Sequence, residues 1–261
     1  MKVPTKKVLQ DQIKKINIAT AVISVVLAVT SALALSSTTV TVWLNYMARN
    51  ALVQGNEVVL TPALKELFSV QIRYLFVFMF GVSAVFALLL ATKLRTNYET
   101  TVKKKLSAYK WIFIGITSAL SVGIIAMLSG LTGIAEVKVI IGLVIIASLF
   151  GWLSEREAIF SSSKKWLPFV LSIIAGLVAW LPIVSNVVGT SVYGMERFTW
   201  SVYALAVIVF ASFVLYGLNQ YMYLADKKGW KEYLFIERNH LFIDLASKVA
   251  IGIIIIAALG K

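Results

Sequence analysis

The chain has 261 residues, 59% of them hydrophobic, a net charge of +13 and no cysteine; charged residues make up 14%, against about 25% in an average soluble domain. These figures describe an integral membrane protein and exclude disulfides and thiolate metal sites. A single histidine, His240, excludes histidine metal clusters, and twelve acids that read nearly all as loop residues argue against carboxylate metal sites.

Residues 1–15 are basic and polar, and the apolar run after them lacks a small-residue cleavage site, so 16–35 is expected to be a retained span rather than a signal peptide. The polar stretch Ser36 to Thr41 closes it. Residues 42–65 read as a connection outside the bilayer, in which Val53-Gln54-Gly55-Asn56-Glu57-Val58-Val59-Leu60 suggests a two-stranded hairpin. Further spans are expected at 72–91, 111–131, 138–153, 166–184, 198–221 and 240–259. A strongly basic loop with Lys93, Arg95, Lys103, Lys104, Lys105 and Lys110 separates the second span from the third. The turn 132–136 is so short that the third and fourth spans must be antiparallel neighbours. The expected fold is an all-α, seven-helix bundle forming one domain over 1–261, multi-pass in the cell membrane with the lipid bilayer around it.

Seven spans put the termini on opposite faces. Eighteen of the 25 Lys and Arg residues then fall on the face of the N-terminus and six on the other, with Lys248 inside the last span. The excess of positive charge on cytoplasmic loops places the N-terminus inside and the C-terminus outside. The basic charge is thereby read as an orientation signal, and no nucleic-acid partner is expected. Trp43, Trp166, Trp200 and Trp230 lie near span ends as interfacial anchors, with Trp111 in the same role, whereas Trp152 and Trp180 read as core fillers. Ser24, Ser83, Thr117, Ser118 and Ser121 are expected to bond their own backbone or tighten helix packing.

The last span carries two opposite charges, Asp244 and Lys248. Eleven large apolar residues, Leu241 to Leu259, return roughly 0.3 to 0.6 kcal/mol each on insertion, while an Asp and a Lys at mid-helix cost roughly 2.5 to 3.5 kcal/mol each. The two sums nearly cancel, so the charges must neutralise each other. Their spacing is i and i+4, one helix face with the acid N-terminal, the better order. Gly252, one turn further on, leaves space on that face. Ionisable groups inside a membrane usually mark a site; the alternative is an ion pair kept for packing. A lysine buried in such a bundle is suited to one chemistry, condensation of its neutral amine with an aldehyde, and Asp244 would serve as the anion for a protonated imine.

Several stretches carry a resemblance to a known family: Gln220-Tyr221, Gly229-Trp230-Lys231-Glu232-Tyr233-Leu234-Phe235-Ile236-Glu237-Arg238 and Asp244-Leu245-Ala246-Ser247-Lys248 around the last two spans, Lys110-Trp111-Ile112 and Ile125-Ala126-Met127-Leu128-Ser129-Gly130 at the ends of the third, and Trp166-Leu167-Pro168-Phe169 with Ala175-Gly176 in the fifth. The chain resembles the heliorhodopsins, seven-helix retinal proteins with the N-terminus inside. The resemblance implies all-trans retinal on Lys248. It also has departures. The family's glutamate counterion, just after the Trp-Ile of the third helix, is Phe113 here; the family's two histidines of the first and second helices align with Ser24 and Ala87; and the family's serine one turn before the lysine is Asp244. The carboxylate has moved from the third helix to the seventh. Phe113, Thr117, Ser83, Trp180 and Phe213 are the further residues expected around the chromophore.

The expected function is light sensing without enzymatic activity, with Asp244 as counterion and a signal passed through the basic cytoplasmic face to an unidentified partner; a homodimer is compatible with a bundle of this size. Two alternatives stand beside it. A light-driven ion transporter needs a relay of ionisable groups, and besides the pair the predicted spans hold only Arg73 and Lys138, both at ends. A retinal-free relative would keep Asp244 and Lys248 as a structural ion pair.

Overall fold

A computed structural model of the protein describes residues 6–35, 37–49, 60–160, 163–194, 197–227 and 229–259. The chain runs α1 (Lys6–Ala34), β1 (Thr39–Arg49), β2 (Leu60–Gln71), α2 (Ile72–Ala91), α3 (Arg95–Lys103), α4 (Ala108–Leu128), α5 (Ile134–Phe160), α6 (Trp166–Tyr193), α7 (Trp200–Leu224) and α8 (Tyr233–Leu259). Every helix but α3 is long and apolar enough to cross a membrane. The seven form a closed bundle in which α1 packs on α2 and α8, α8 on α7, and α5 on α4 and α6. In α4 67% of the most apolar window is buried, more than in any other of these helices, because it also touches α2, α6, α7 and α8. The outward faces are apolar as well: Leu33, Phe78, Val139 and Leu181 are all exposed. A helix that is hydrophobic on all sides belongs in lipid, so the fold is that of a multi-pass integral membrane protein.

The two ends of the bundle differ. At one end β1 and β2 pair antiparallel from Thr39↔Gln71 to Arg49↔Leu60, with a bulge between Val42 and Trp43. Trp43 N–H donates to the Thr132 carbonyl (3.0 Å), which fastens the ribbon to the α4–α5 turn. The stretch 53–60 from which a hairpin is expected lies outside the described residues as far as 59; the paired strands flank it, at Thr39–Arg49 and Leu60–Gln71. The other end carries the start of α1 together with α3, the starts of α4 and α8 and the end of α5, packed around Leu9, Ile13, Tyr98, Val102 and Tyr233.

Two boundaries differ from expectation in a way that matters. The fourth span was expected to stop at 153 and the last to start at 240; α5 continues to Phe160, and α8 starts at Tyr233. Both extensions carry a glutamate, Glu155 and Glu237, each 0% exposed. Lys110, read as a loop residue, lies in the first turn of α4 and is likewise 0% exposed. Polar residues lowered the hydropathy of these turns, but Lys110 and the two glutamates offset one another's charge in part inside the bundle. Part of the expected basic loop is also helical, since α3 buries Tyr98 and Val102.

Candidate functional site

Asp244 and Lys248 lie one turn apart on the inner face of α8, 3% and 4% exposed. The Lys248 ammonium donates to Asp244 Oδ1. The lysine stays buried because the carboxylate neutralises it and because its Nζ sits 5.0 Å from the centre of the Phe113 ring, a cation–π contact. Asp244 Oδ2 makes no hydrogen bond of normal geometry, while Tyr216 of α7 is the phenol that interacts with this carboxylate. The space at Gly252 is not beside the lysine: a Cβ there would run into the Leu27 side chain of α1. That glycine brings α1 and α8 together.

The pair opens onto an internal cavity between α4, α5, α6, α7 and α8. Its lining runs along α4 from Trp111 to Val122, which at 1.5 Å per residue is a slot about 16 Å long. The walls are apolar and aromatic, with Val144, Phe169, Trp180 and Phe213 among them, and two glycines shape them. A Cβ on Gly151 would strike the Trp111 indole, and one on Gly176 the Phe213 ring, so both rings lie against bare backbone and leave the slot open. An elongated apolar aldehyde fits this arrangement: a long slot with large apolar walls and scattered serine hydroxyls, one amine to bond, and one carboxylate oxygen without a hydrogen-bond partner.

Of the residues expected around a chromophore, Thr117, Trp180 and Phe213 line the cavity with Asp244 and Lys248. Phe113 and Ser83 do not. Phe113 lies on the lysine's other side, and Ser83 accepts a hydrogen bond from Ser24 (3.3 Å), joining α2 to α1. Thr117 donates to the Phe113 carbonyl (2.9 Å), the backbone bonding expected of such residues. Trp111 is no interfacial anchor, being 8% exposed and part of the cavity wall. Trp230, expected at the interface, donates its indole N–H to Asn219 (2.9 Å).

The sequence reading missed a second charged cluster. Lys110 Nζ lies 2.6 Å from Glu155 Oε1 and 3.2 Å from Glu237 Oε2, and all three side chains have no exposure. Tyr233 donates to Glu155 Oε2 (2.8 Å), and Tyr98 (2.7 Å) and Ser107 (2.8 Å) both donate to Glu237 Oε1. Glu237 Oε2 is within ion-pair distance of the lysine but off the line of a hydrogen bond. Lys248 is therefore not the only lysine inside a span, nor Asp244 the only acid. Breaking a buried pair leaves uncompensated charge and costs about 3–5 kcal/mol. Lys110→Met is accordingly expected to lower the thermal midpoint of the retinal-free protein sharply, and adding Glu155→Gln and Glu237→Gln to restore most of it; heating curves in detergent read both.

His240 lies between the two clusters in sequence along α8. It lies on α8 between Glu237 and Asp244, 0% exposed, stacked on Tyr216 (centroids 5.7 Å) and edge-on to Trp111 (5.5 Å). The Asn219 amide accepts from Trp230 through its oxygen, so its nitrogen donates to the Ile236 carbonyl (3.1 Å) and approaches His240 Nδ1 (2.7 Å). Nδ1 also lies 3.1 Å from the Ile236 carbonyl, so it accepts from Asn219 in one ring tautomer and donates to Ile236 in the other, while Nε2 has no hydrogen-bond partner.

In fold, the chain is similar to the transmembrane domain of the Salpingoeca rosetta rhodopsin phosphodiesterase, with a TM-score of 0.63 at 14% identity, covering 97% of this chain and 85% of that one. A search of curated protein sequences finds no match. The family model named Heliorhodopsin matches residues 13–259. It takes in all of the cavity, the Asp244–Lys248 pair and the Lys110 cluster, and the chain belongs to the heliorhodopsin family.

Proposed function

We propose that the protein is a light sensor in which retinal is held by Lys248 in the cavity between α4 and α8, with Asp244 as counterion, and that it signals rather than transports ions. The observation that carries this reading is the junction of a long apolar slot with one amine, Lys248 Nζ, beside a carboxylate that has an oxygen to spare. Retinal, joined as an imine to that nitrogen, supplies visible absorption and light-driven isomerisation. The chain supplies the rest. Asp244 holds the proton on the nitrogen by its negative charge; Trp180 and Phe213 wall the slot against water; Phe113 closes the other side of the lysine. Adding all-trans retinal to the expressed protein tests the reading. A visible absorption band that follows protein concentration supports it, whereas a colourless protein would leave Asp244 and Lys248 as a structural ion pair.

The topology we propose has the N-terminal end of the bundle in the cytoplasm. Basic loop residues are concentrated there, and the withdrawal of Lys110 into the bundle leaves that excess large. A tag on the N-terminus is expected to be protected in intact cells and one on the C-terminus reachable; the reverse labelling would show that the loop charges do not set orientation here.

Net transport is not expected. Among the described residues the charged groups of the hairpin half lie at helix ends (Arg73, Glu136, Lys138), in the hairpin strands (Arg49, Lys65, Glu66) or just before α7 (Arg197), and no titratable chain leads from Lys248 to that face. The expectation that the spans hold no other interior charges is corrected by the Lys110 cluster, which lies toward the N-terminal side alone. Illuminated cells should give no lasting, protonophore-sensitive change in medium pH, and such a change would overturn the signalling reading.

A further inference from the structure

We infer that Glu237, Glu155 and Lys110 form a buried proton-holding site, which exchanges protons with the Asp244–Lys248 pair through Tyr216 and His240 and with the N-terminal side of the membrane through Tyr98. The light-driven half of this inference rests on the function proposed above; the proton-holding site itself does not. Two carboxylates face one ammonium at 2.6 and 3.2 Å with no exposure, an arrangement with room for one more proton, because an uncompensated charge in a dry interior is costly.

The groups between this site and Lys248 share one face of α8. Glu237, His240, Asp244 and Lys248 follow at spacings of three, four and four along α8, one stripe of the helix. Tyr216 meets both Asp244 and the His240 ring from α7. Glu237 Oε2, His240 Nε2 and Asp244 Oδ2 are all buried without a hydrogen-bond partner. Buried polar atoms are normally satisfied by protein or by ordered water, so these three atoms on one stripe, of which Glu237 Oε2 has only its ion pair with Lys110, mark a hydrated file rather than a packing accident.

The outer end is equally specific. Tyr98, which donates to Glu237, also lines a small second cavity with Asn17, Lys14 and Arg95. Asn17 is 1% exposed, and neither its amide nitrogen nor its oxygen has a partner. That cavity reaches the surface at Lys14 and Glu99, so water in it would connect Asn17 and the Tyr98 hydroxyl to the N-terminal face. During a light cycle the Lys248 nitrogen gives its proton to Asp244, the carboxylate passes it by way of His240 to the Glu237 site, that site releases a proton past Tyr98 and the Asn17 cavity to the N-terminal face, and the same path takes one back up. The proton count of the protein changes only transiently, and only at one face.

Two measurements test this. In the retinal-free protein, infrared spectra in D2O should show a protonated carboxyl band that disappears in Glu237→Gln or Glu155→Gln, and whose deuterium exchange slows about tenfold or more in Asn17→Leu, where the water file is plugged. The absence of any such band would overturn the proton-holding site whether or not retinal binds. In the retinal-loaded protein, oriented in vesicles, a pH dye on the N-terminal side should report a transient after a flash with the time course of the Lys248 nitrogen's proton loss and return. Tyr98→Phe, which removes one hydroxyl, should slow that return by about 100-fold, the scale of a missing proton-transfer group. A transient seen by dye on the hairpin side, or none from a protein that completes its light cycle, would overturn the path. Failure to form pigment would instead count against the proposed function, and the infrared result would still decide the site.

Discussion

Lys248→Ala and Lys248→Arg are both expected to give a colourless protein after retinal addition, a complete loss rather than a shift. Imine formation needs an amine that can be neutral, and guanidinium stays charged at any ordinary pH, so arginine preserves the charge opposite Asp244 while removing the chemistry. That choice separates loss of the bond from loss of the fold. The structure adds a competitor, since Lys110 is a second lysine without exposure. Lys110 is nevertheless unsuited: it is clamped by Glu155 and Glu237 at 2.6 and 3.2 Å and lies behind the Trp111 indole, 5.2 Å from its ring centre, whereas Lys248 lines the cavity itself. Reducing the pigment and mapping the labelled peptide checks the assignment. Label on Lys110, or colour retained by Lys248→Arg, would move the site to another helix.

The seven-helix architecture was legible because hydropathy needs only local sequence, and the Asp244–Lys248 pair because both partners lie on one helix at a spacing that periodicity reveals. The Lys110 cluster was hidden for the opposite reason. Lys110 is 45 residues from Glu155, and Tyr98 is 139 residues from Glu237, so nothing in any one window shows that these groups meet; read alone, each charge looked like the end of a span. One part could have been found: Glu237, His240, Asp244 and Lys248 keep helical spacing, but starting the last span at His240 cut the stripe in two. The cavity could not have been found that way. Its open volume depends on Trp111 lying on Gly151 and Phe213 on Gly176, contacts between helices whose rotation about their own axes only the packed bundle sets. The same holds for Ser83 and Phe113, which face the neighbourhood of the lysine by sequence position yet lie outside the slot.

Asp244→Asn is expected to leave the Lys248 nitrogen, once joined to retinal, without an anion, so that at neutral pH it loses its proton and absorption moves to the near ultraviolet. A cation in a low-dielectric pocket is costly unless paired, and among the described residues no second carboxylate is paired with Lys248. Asp244 donates its charge from one turn away on the same helix; Glu237 lies nearly two turns further back and already accepts from Tyr98 and Ser107 while facing Lys110; and the position that carries a glutamate in the resemblance is Phe113, which meets the lysine with the face of an aromatic ring. The ring's attraction amounts to about 0.5–2 kcal/mol, less than the several kcal/mol of desolvation per buried ion that it would have to offset. Visible absorption should therefore return in Asp244→Asn only on acidification, or when a small anion such as chloride takes the place of the carboxylate. Asn at this position keeps the side-chain volume and can still accept a hydrogen bond from Tyr216, so a change in colour reports charge and not collapse of the pocket. A variant that keeps its visible band near neutral pH in chloride-free buffer would show that Asp244 serves as a hydrogen-bond donor, and that the nitrogen's proton is held by the more distant acids of the Glu237 site.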